Sequence, residues 1–172
     1  MRTEKLQTLA HRETLNLALE SYADLWAELM PLARSHYEEV TATPEVALNI
    51  ATKTYEQLQA VGGLRMVTMR ADTDVAAGEL IGYCSVVLSR HSHTGALVAR
   101  VDGIYVRPEW RSGTDAGRAL LKHAMKLVTD EGATMFYVSS RPRYDLSPLL
   151  EWMGFGIVEV QHAKALTAPR RV

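Results

Sequence analysis

The chain passes from strand to helix within Val101-Asp102-Gly103-Ile104-Tyr105-Val106-Arg107-Pro108-Glu109-Trp110-Arg111-Ser112-Gly113-Thr114-Asp115-Ala116-Gly117-Arg118-Ala119-Leu120-Leu121. β-Branched and aromatic residues up to Val106 favour an extended strand. Pro108, which has no N–H to give to a ladder, ends it. Small and hydroxylated residues follow and open directly into the apolar spacing of a helix over 117–131. The N–H groups of such a loop and of the first helical turn have no intrahelical partners, and with the helix dipole they make an anion site. Gly113, Ala116 and Gly117 let a phosphate approach the backbone, Ser112 and Thr114 add hydroxyl donors, and Arg111 adds a charge. These residues alone point to a phosphate-binding loop. They lack the Lys-Ser/Thr pair of a P-loop and the first-strand position of a dinucleotide-binding fingerprint.

Upstream, residues 97–107 are the strand that feeds this loop, preceded by a turn at His91-Ser92-His93-Thr94-Gly95. Residues 64–70 and 80–89 read as two further strands around a polar stretch that holds Asp72, Asp74 and Gly78. Nearer the start, residues 14–19 alternate apolar and polar, which predicts a short strand with Leu15, Leu17 and Leu19 on one side. From Tyr22 the spacing turns helical, with Leu25, Leu29, Leu32, Tyr37 and Val40 on one face, and Pro31 predicts a kink or two consecutive helices. A second helix is expected from Thr43 as N-cap, with Pro44 at its first position, to the stop at Gly62-Gly63. Downstream, Gly132 ends the helix of the loop and residues 134–140 form a strand. Ser147-Pro148 opens a short helix closed by Gly154, residues 155–166 form a last strand, and residues 167–172 are a basic tail. The resulting order, β-α-α-β-β-β-α-β-α-β, predicts a mixed α+β fold: a largely antiparallel sheet with helices on both faces. A doubly wound nucleotide-binding fold would alternate throughout.

Composition bounds the function. The chain has 172 residues, 47% of them hydrophobic and 23% charged, with a formal net charge of -1. That length suits one domain, expected over 1–166 with 167–172 as the tail. A near-neutral balance argues against a dedicated nucleic-acid binder. No apolar run reaches the roughly 18 residues that a membrane-spanning helix requires. Charged residues at the start are not followed by an apolar segment of the secretory kind, so the expected compartment is the cytoplasm. A single cysteine, Cys84, excludes an intramolecular disulfide framework and a cysteine-rich zinc site.

The loop segment resembles motif A of the GNAT superfamily of N-acetyltransferases, V-x-P-x-x-R-G-x-G-x-G/A followed by L-L. Val106, Pro108, Arg111, Gly113, Ala116 or Gly117, and Leu120-Leu121 fit it. The later stretch Ser147-Pro148-Leu149-Leu150-Glu151-Trp152-Met153-Gly154-Phe155 is similar to the family's short helix ending in G-F. The likeness covers residues 64–166, and the helical N-terminal part by topology. His36-Tyr37-x-Glu39, the His91-Ser92-His93 turn and the Gly113-Thr114 loop look most like phage or prophage members, for which the compartment would be the host cytoplasm. The resemblance implies a twisted sheet with a V-shaped splay and acetyl-CoA as cosubstrate. It implies an N-acetyltransferase acting by direct attack of an amine, on a small molecule or a protein, within a ternary complex. It also implies a cofactor site made by Ile104, Tyr105, Val106, Arg111, Ser112, Gly113, Thr114, Ala116, Gly117 and Arg118. The strands at Val106 and at 134–140 should part to admit the pantetheine arm. Such folds often dimerise, so a homodimer is expected on the same ground.

The chain departs from the family's pattern in three places. The loop reads one residue longer than usual: without a gap Thr114 replaces a glycine and Asp115 an apolar residue, whereas with an inserted residue Gly113 and Gly117 are the two glycines and Ala116 takes the apolar place, the register preferred here because it turns Asp115 to solvent. The family's general-acid tyrosine falls on Leu150, and the asparagine at the start of that helix falls on Arg143. Leaving-group protonation is therefore expected from Tyr144 or water. A catalytically silent binding module of the same fold is the rival reading. Asp102, on the strand that supplies the family's acidic base, is the first candidate for the base, and His93 in the neighbouring turn is the second. His91 and the pair His36 and Glu39, which share a helix face, are candidates to line the acceptor pocket. Two such ligands do not make a metal site, and none is expected. Cys84, mid-strand among apolar residues, reads as packing, which favours direct transfer over an acyl-cysteine route. Packing is likewise the default for Trp26, Trp110 and Trp152.

Overall fold

A computed structural model of the chain describes residues 14–40, 48–72, 78–112, 115–141 and 144–162. Five strands form one sheet in the order β1-β2-β3-β4-β5. They are β1 (Thr14–Glu20), β2 (Leu64–Asp72), β3 (Glu79–Arg90), β4 (Leu97–Val106) and β5 (Met135–Tyr137). The first three pairings are antiparallel and the last, β4 with β5, is parallel. The described residues form four α-helices beside it: α1 (Tyr22–Val40), α2 (Thr52–Ala60), α3 (Ala116–Asp130) and α4 (Ser147–Trp152). The expected mixed α+β architecture is what forms.

Period-two alternation along the strands divides the core between the two faces of the sheet. On one face Val67, Met69, Ala71, Ile81, Val86 and Ala99 meet Ala116, Leu120, Ala124 and Val128 of α3. On the other, Leu64, Met66, Leu80, Tyr83 and Tyr105 meet Tyr22, Leu25, Leu29 and Leu32 of α1. Arg70 ties the second layer down at its edge, donating to Glu20 at 2.9 Å and to Glu28 of α1 at 2.8 Å.

Four expectations change. Pro31 sits inside one continuous helix, which removes the two-helix alternative. Its cost to the ladder is offset because Leu29 and Leu32, on either side of it, are both buried against the sheet. The second helix begins at Thr52, and the cap expected at Thr43 lies outside the described residues. The fifth strand spans only Met135–Tyr137, because β4 turns away from it. Residues 155–162 form no strand: with so short an edge beside them, Ile157, Val158 and Val160 stay exposed. Residues 163–172, including the expected tail, lie outside the described residues.

Two irregularities shape the middle of the sheet. Ser85 pairs with Gly103 but Val86 pairs with Val101, so Asp102 is the extra residue of a β-bulge. A bulge bends its strand and re-aims the side chain it carries. At Gly82, a Cβ would stand 2.9 Å from the Tyr105 carbonyl oxygen, so the two strands approach more closely than a side chain permits. Gly82→Ala should therefore force β3 and β4 apart and lower stability by about 1–3 kcal/mol, the usual range for overpacking, as read from urea denaturation.

Candidate active site

Parting of β4 from β5 creates the site. Their pairing ends at Arg100 with Tyr137, whereas β4 runs on to Val106. The Arg107 N–H donates to the Ile81 carbonyl at 2.8 Å beside the Gly82–Val106 pair. In that antiparallel register Tyr105 directs its main-chain groups to β3, while Ile104 and Val106 direct theirs outward. They face a cavity of about 900 Å³ that reaches from α1 and α2, across β4, to the start of α3 and to α4.

At the α3 end, the helix begins at Ala116 with Asp115 as its cap residue. Ala116 is buried in the α3 core layer, while Gly117 lines the cavity, and a Cβ there would meet nothing within 4 Å. Ala116 and Gly117 stand as the second register has them, while Asp115, exposed, also lines the cavity, and Gly113 lies outside the described residues. Asp115 forms an ion pair with Arg118, whose guanidinium also lies 5.1 Å over the Trp152 ring. Trp152 is 66% exposed beside the cavity, and Trp110 is buried. The first turn of α3 with room beside Gly117, and the outward-facing main chain of Ile104, fit the pyrophosphate and pantetheine of acetyl-CoA. Ser112 is exposed and lies off the cavity lining, and Gly113 and Thr114 lie outside the described residues.

Arg111 is placed differently from a phosphate ligand. Its Nε donates to the Val106 carbonyl at 2.6 Å, and its two terminal nitrogens hold the Glu39 carboxylate at 2.6 and 2.7 Å. The bidentate geometry fixes α1 to the loop and neutralises the arginine where it stands. Arg111 also donates to the Tyr144 hydroxyl at 3.0 Å, leaving the phenol its own proton to give. Glu39 is therefore a partner of the loop and no free acceptor-binding carboxylate.

His36 follows the stripe of Leu25, Leu29 and Leu32 along α1 by one more turn, and Glu39 follows it again. That spacing carries His36 over the sheet, where its ring stacks on Tyr105 and its Nδ1 shares a 2.8 Å hydrogen bond with the Tyr83 hydroxyl. A Cβ on Gly103 would lie 3.5 Å from His36 Cε1, an ordinary contact, so the imidazole lies against Gly103. Burial depresses the His36 pKa, opposed in part by Glu39 and Asp102 and reinforced by Arg141 and Arg111, so the imidazole is neutral at pH 7. The linkage has a definite sign. A histidine whose folded pKa lies below its unfolded value of about 6.5 makes the unfolded chain bind more protons, so stability falls as pH drops through and below that value. Thermal melts between pH 7.5 and 5.5 should lose Tm on acidification, and His36→Gln should flatten that slope.

Asp102 projects from the bulge into the cavity, where its Oδ2 accepts the Tyr55 hydroxyl at 2.5 Å. Burial first, and the Asp102 carboxylate second, push the Tyr55 pKa well above the usual phenol range, and burial does the same at Tyr83. Both stay protonated donors. Tyr55 and Tyr83 were not singled out from sequence; the apolar helix face around Tyr55 and the strand alternation around Tyr83 mark them only as core. Leu150 is buried, and Tyr144 lines the cavity. His91 and His93, by contrast, stand together in the exposed turn before β4, with ring centroids 5.7 Å apart, and neither lines the cavity. Their turn is separated from Asp102 by roughly 17 Å of extended strand, so the structure does not bring them to the site. Cys84 is fully buried and its thiol is pushed up to about 12 by burial, which removes it as a nucleophile. Among the described residues no group of three or more metal-ligating side chains occurs, and no helix is long and apolar enough to cross a membrane.

Solved structures with this fold include acetyltransferases. An acetyltransferase from Trypanosoma brucei aligns with a TM-score of 0.65 at 19% identity, over 89% of this chain and 100% of its own. Glucosamine-6-phosphate N-acetyltransferase from Arabidopsis thaliana aligns with a TM-score of 0.66 at 12% identity, over 90% and 99%. The aminoglycoside N-acetyltransferase AAC(6')-Iy, solved in complex with CoA, gives 0.64 at 15% identity, over 93% and 97%. At these identities the likeness is one of fold. Among curated proteins no sequence matches. The model of the acetyltransferase (GNAT) family matches residues 26–155, spanning α1, the splayed strands, the α3 loop and α4. On that match the chain belongs to the GNAT family, acyltransferases that use acetyl-CoA.

Proposed function

We propose that the chain transfers an acetyl group directly from acetyl-CoA to an amine held at the α1–α2 end of the cavity. The observation that carries this is the splay. The main-chain groups of Ile104 and the N–H of Val106 open onto a continuous cavity with the first turn of α3 at one end and Asp102 at the other. Bound there, the cofactor would supply an activated thioester carbonyl. Gly117 and the α3 first turn would hold its phosphates, and Ile104 would hold its arm.

Each residue then has a task. Asp102, steadied by the Tyr55 hydroxyl, attracts the ammonium of the acceptor and takes its proton as the nitrogen lone pair is committed. Tyr144, accepting from Arg111, gives its phenolic proton to the departing thiolate. Arg111 and Glu39 join the acceptor helix to the cofactor loop, so both substrates are positioned by one rigid unit. Cleaving Glu39 from Arg111 by Glu39→Gln should lower stability by about 1–3 kcal/mol, the cost of unpairing a half-buried charge. It should also raise the KM for both substrates, as initial rates would show.

The test is calorimetric titration with acetyl-CoA, followed by an assay of thiol release over a panel of amines. Binding with stoichiometry near one and amine-dependent thiol release is the expected result. A flat titration contradicts the reading.

A further inference from the structure

Six charged side chains among the described residues line the cavity: Glu39, Asp102 and Asp115, with Arg111, Arg118 and Arg141. Four of them are spent on one another, as Glu39 with Arg111 and Asp115 with Arg118. Among the described residues that leaves one acid and one base. Asp102 has a phenol for partner and no cation, and Arg141 has no acidic partner among the described residues. Both line the same cavity that His36 lines, Asp102 next to Gly103, against which the imidazole lies, and Arg141 on the segment bridged to Tyr144. They approach it from opposite lips: Asp102 from the β4 bulge, Arg141 from the segment that follows β5. The phosphates of the cofactor do not account for Arg141, because their seat is the first turn of α3, where Arg118 stands.

The same cavity has apolar and aromatic walls, with Leu29, Leu48, Ile50 and Met66 beside Tyr22 and Tyr37. A polycationic acceptor would meet no surplus of carboxylate among the described residues there, and a simple amine would leave Arg141 unanswered. From this juxtaposition we infer that the acceptor is a zwitterion: a primary amine that carries one carboxylate or similar anion on a compact apolar body, as in an apolar α-amino acid. Asp102 receives the ammonium and Arg141 the anion. Because each cationic or anionic group lands on an opposite charge, the amine is presented in one orientation and not its reverse. In the transfer the new amide bond forms at that nitrogen, the carbon–sulfur bond of the thioester breaks, and the proton lost by nitrogen is balanced by the one gained by the thiolate. The inference rests on the acetyl-transfer reading above and narrows its substrate.

The experiment measures kcat/KM by thiol release at saturating acetyl-CoA. The acceptors are phenylalanine and leucine, the matching amines without the carboxylate (phenethylamine and isoamylamine), and the polycation kanamycin. The amino acids should exceed both their decarboxylated partners and kanamycin by about tenfold or more, the worth of one charge-assisted hydrogen bond. Arg141→Gln, at an exposed position, should cut the amino acids at least tenfold more than the simple amines. Equal or better turnover of phenethylamine or kanamycin would overturn the inference, as would an equal loss for both classes in Arg141→Gln. Tight acetyl-CoA binding with no turnover of the amino acids would overturn it too, while sparing the cofactor site. Failure to bind acetyl-CoA would instead remove the acetyl-transfer reading itself.

Discussion

Gly117→Glu should abolish acetyl-CoA binding while leaving the protein as stable as before. The position lies in the first turn of α3 and faces open cavity, with nothing within 4 Å of a Cβ. A carboxylate there meets no steric obstacle. It is also favoured over glycine by helix propensity and by the positive end of the helix dipole. Tm should therefore hold or rise. The same carboxylate stands where a pyrophosphate would bind, and two like charges about 4 Å apart at an effective dielectric near 20 repel by about 4 kcal/mol. That corresponds to a loss of more than a hundredfold in affinity. Gly117→Ala, which adds bulk without charge, should bind within a few-fold of the parent. Calorimetry beside a thermal melt reads both effects. If Gly117→Glu bound acetyl-CoA like the parent, the phosphate seat would have to be elsewhere.

Asp102→Asn should cost about a hundredfold to ten-thousandfold in kcat, the usual contribution of a general base, and leave the dissociation constant for acetyl-CoA unchanged. Asparagine keeps the shape of the bulge and can still accept the Tyr55 hydroxyl through its carbonyl oxygen, so the fold has no reason to respond. The split between kcat and cofactor affinity is the informative part. A merely structural role for the Asp102–Tyr55 bond would lower stability and scatter its effect over both substrates. Tyr55→Phe provides the companion measurement. It removes the donor but not the carboxylate, and should lower kcat far less than Asp102→Asn does.

Local patterns carried most of the fold. Alternation in 14–19 and 64–70, and the stripe Leu120, Ala124, Val128 after a run of small residues, are short-range signals, and each forms the element it indicates. What the pattern did not carry depends on partners. A strand over 155–162 needs an edge to pair with, and β5 offers three residues. Pro31 within α1 depends on how firmly Leu29 and Leu32 are held by the sheet, which no local window contains.

The site divides the same way. Asp102, Gly117 and the Ile104 and Val106 main chain lie on one continuous segment whose spacing is readable, and the structure brings them to one cavity. Arg111 was legible as a residue of the loop but not as the partner of Glu39, because that bond joins residues 72 apart in sequence. Tyr55 and Tyr83 reach Asp102 and His36 across 47 residues each, and nothing near them in sequence announces it. His91 and His93 show the converse error. They are close to Asp102 along the chain, but an extended strand separates them from it in space.

The account rests on acetyl-CoA lying along the open side of β4, and amide NMR on uniformly nitrogen-15-labelled protein tests that most directly. Addition of acetyl-CoA should shift the Ile104 and Val106 amides together with those at the start of α3, Ala116 to Arg118, and slow their hydrogen exchange. The Tyr105 amide, already bonded across to β3, should keep its exchange rate. Saturable binding that left the Ile104, Val106 and Gly117 amides unmoved, or shifted a different face of the sheet, would contradict the account.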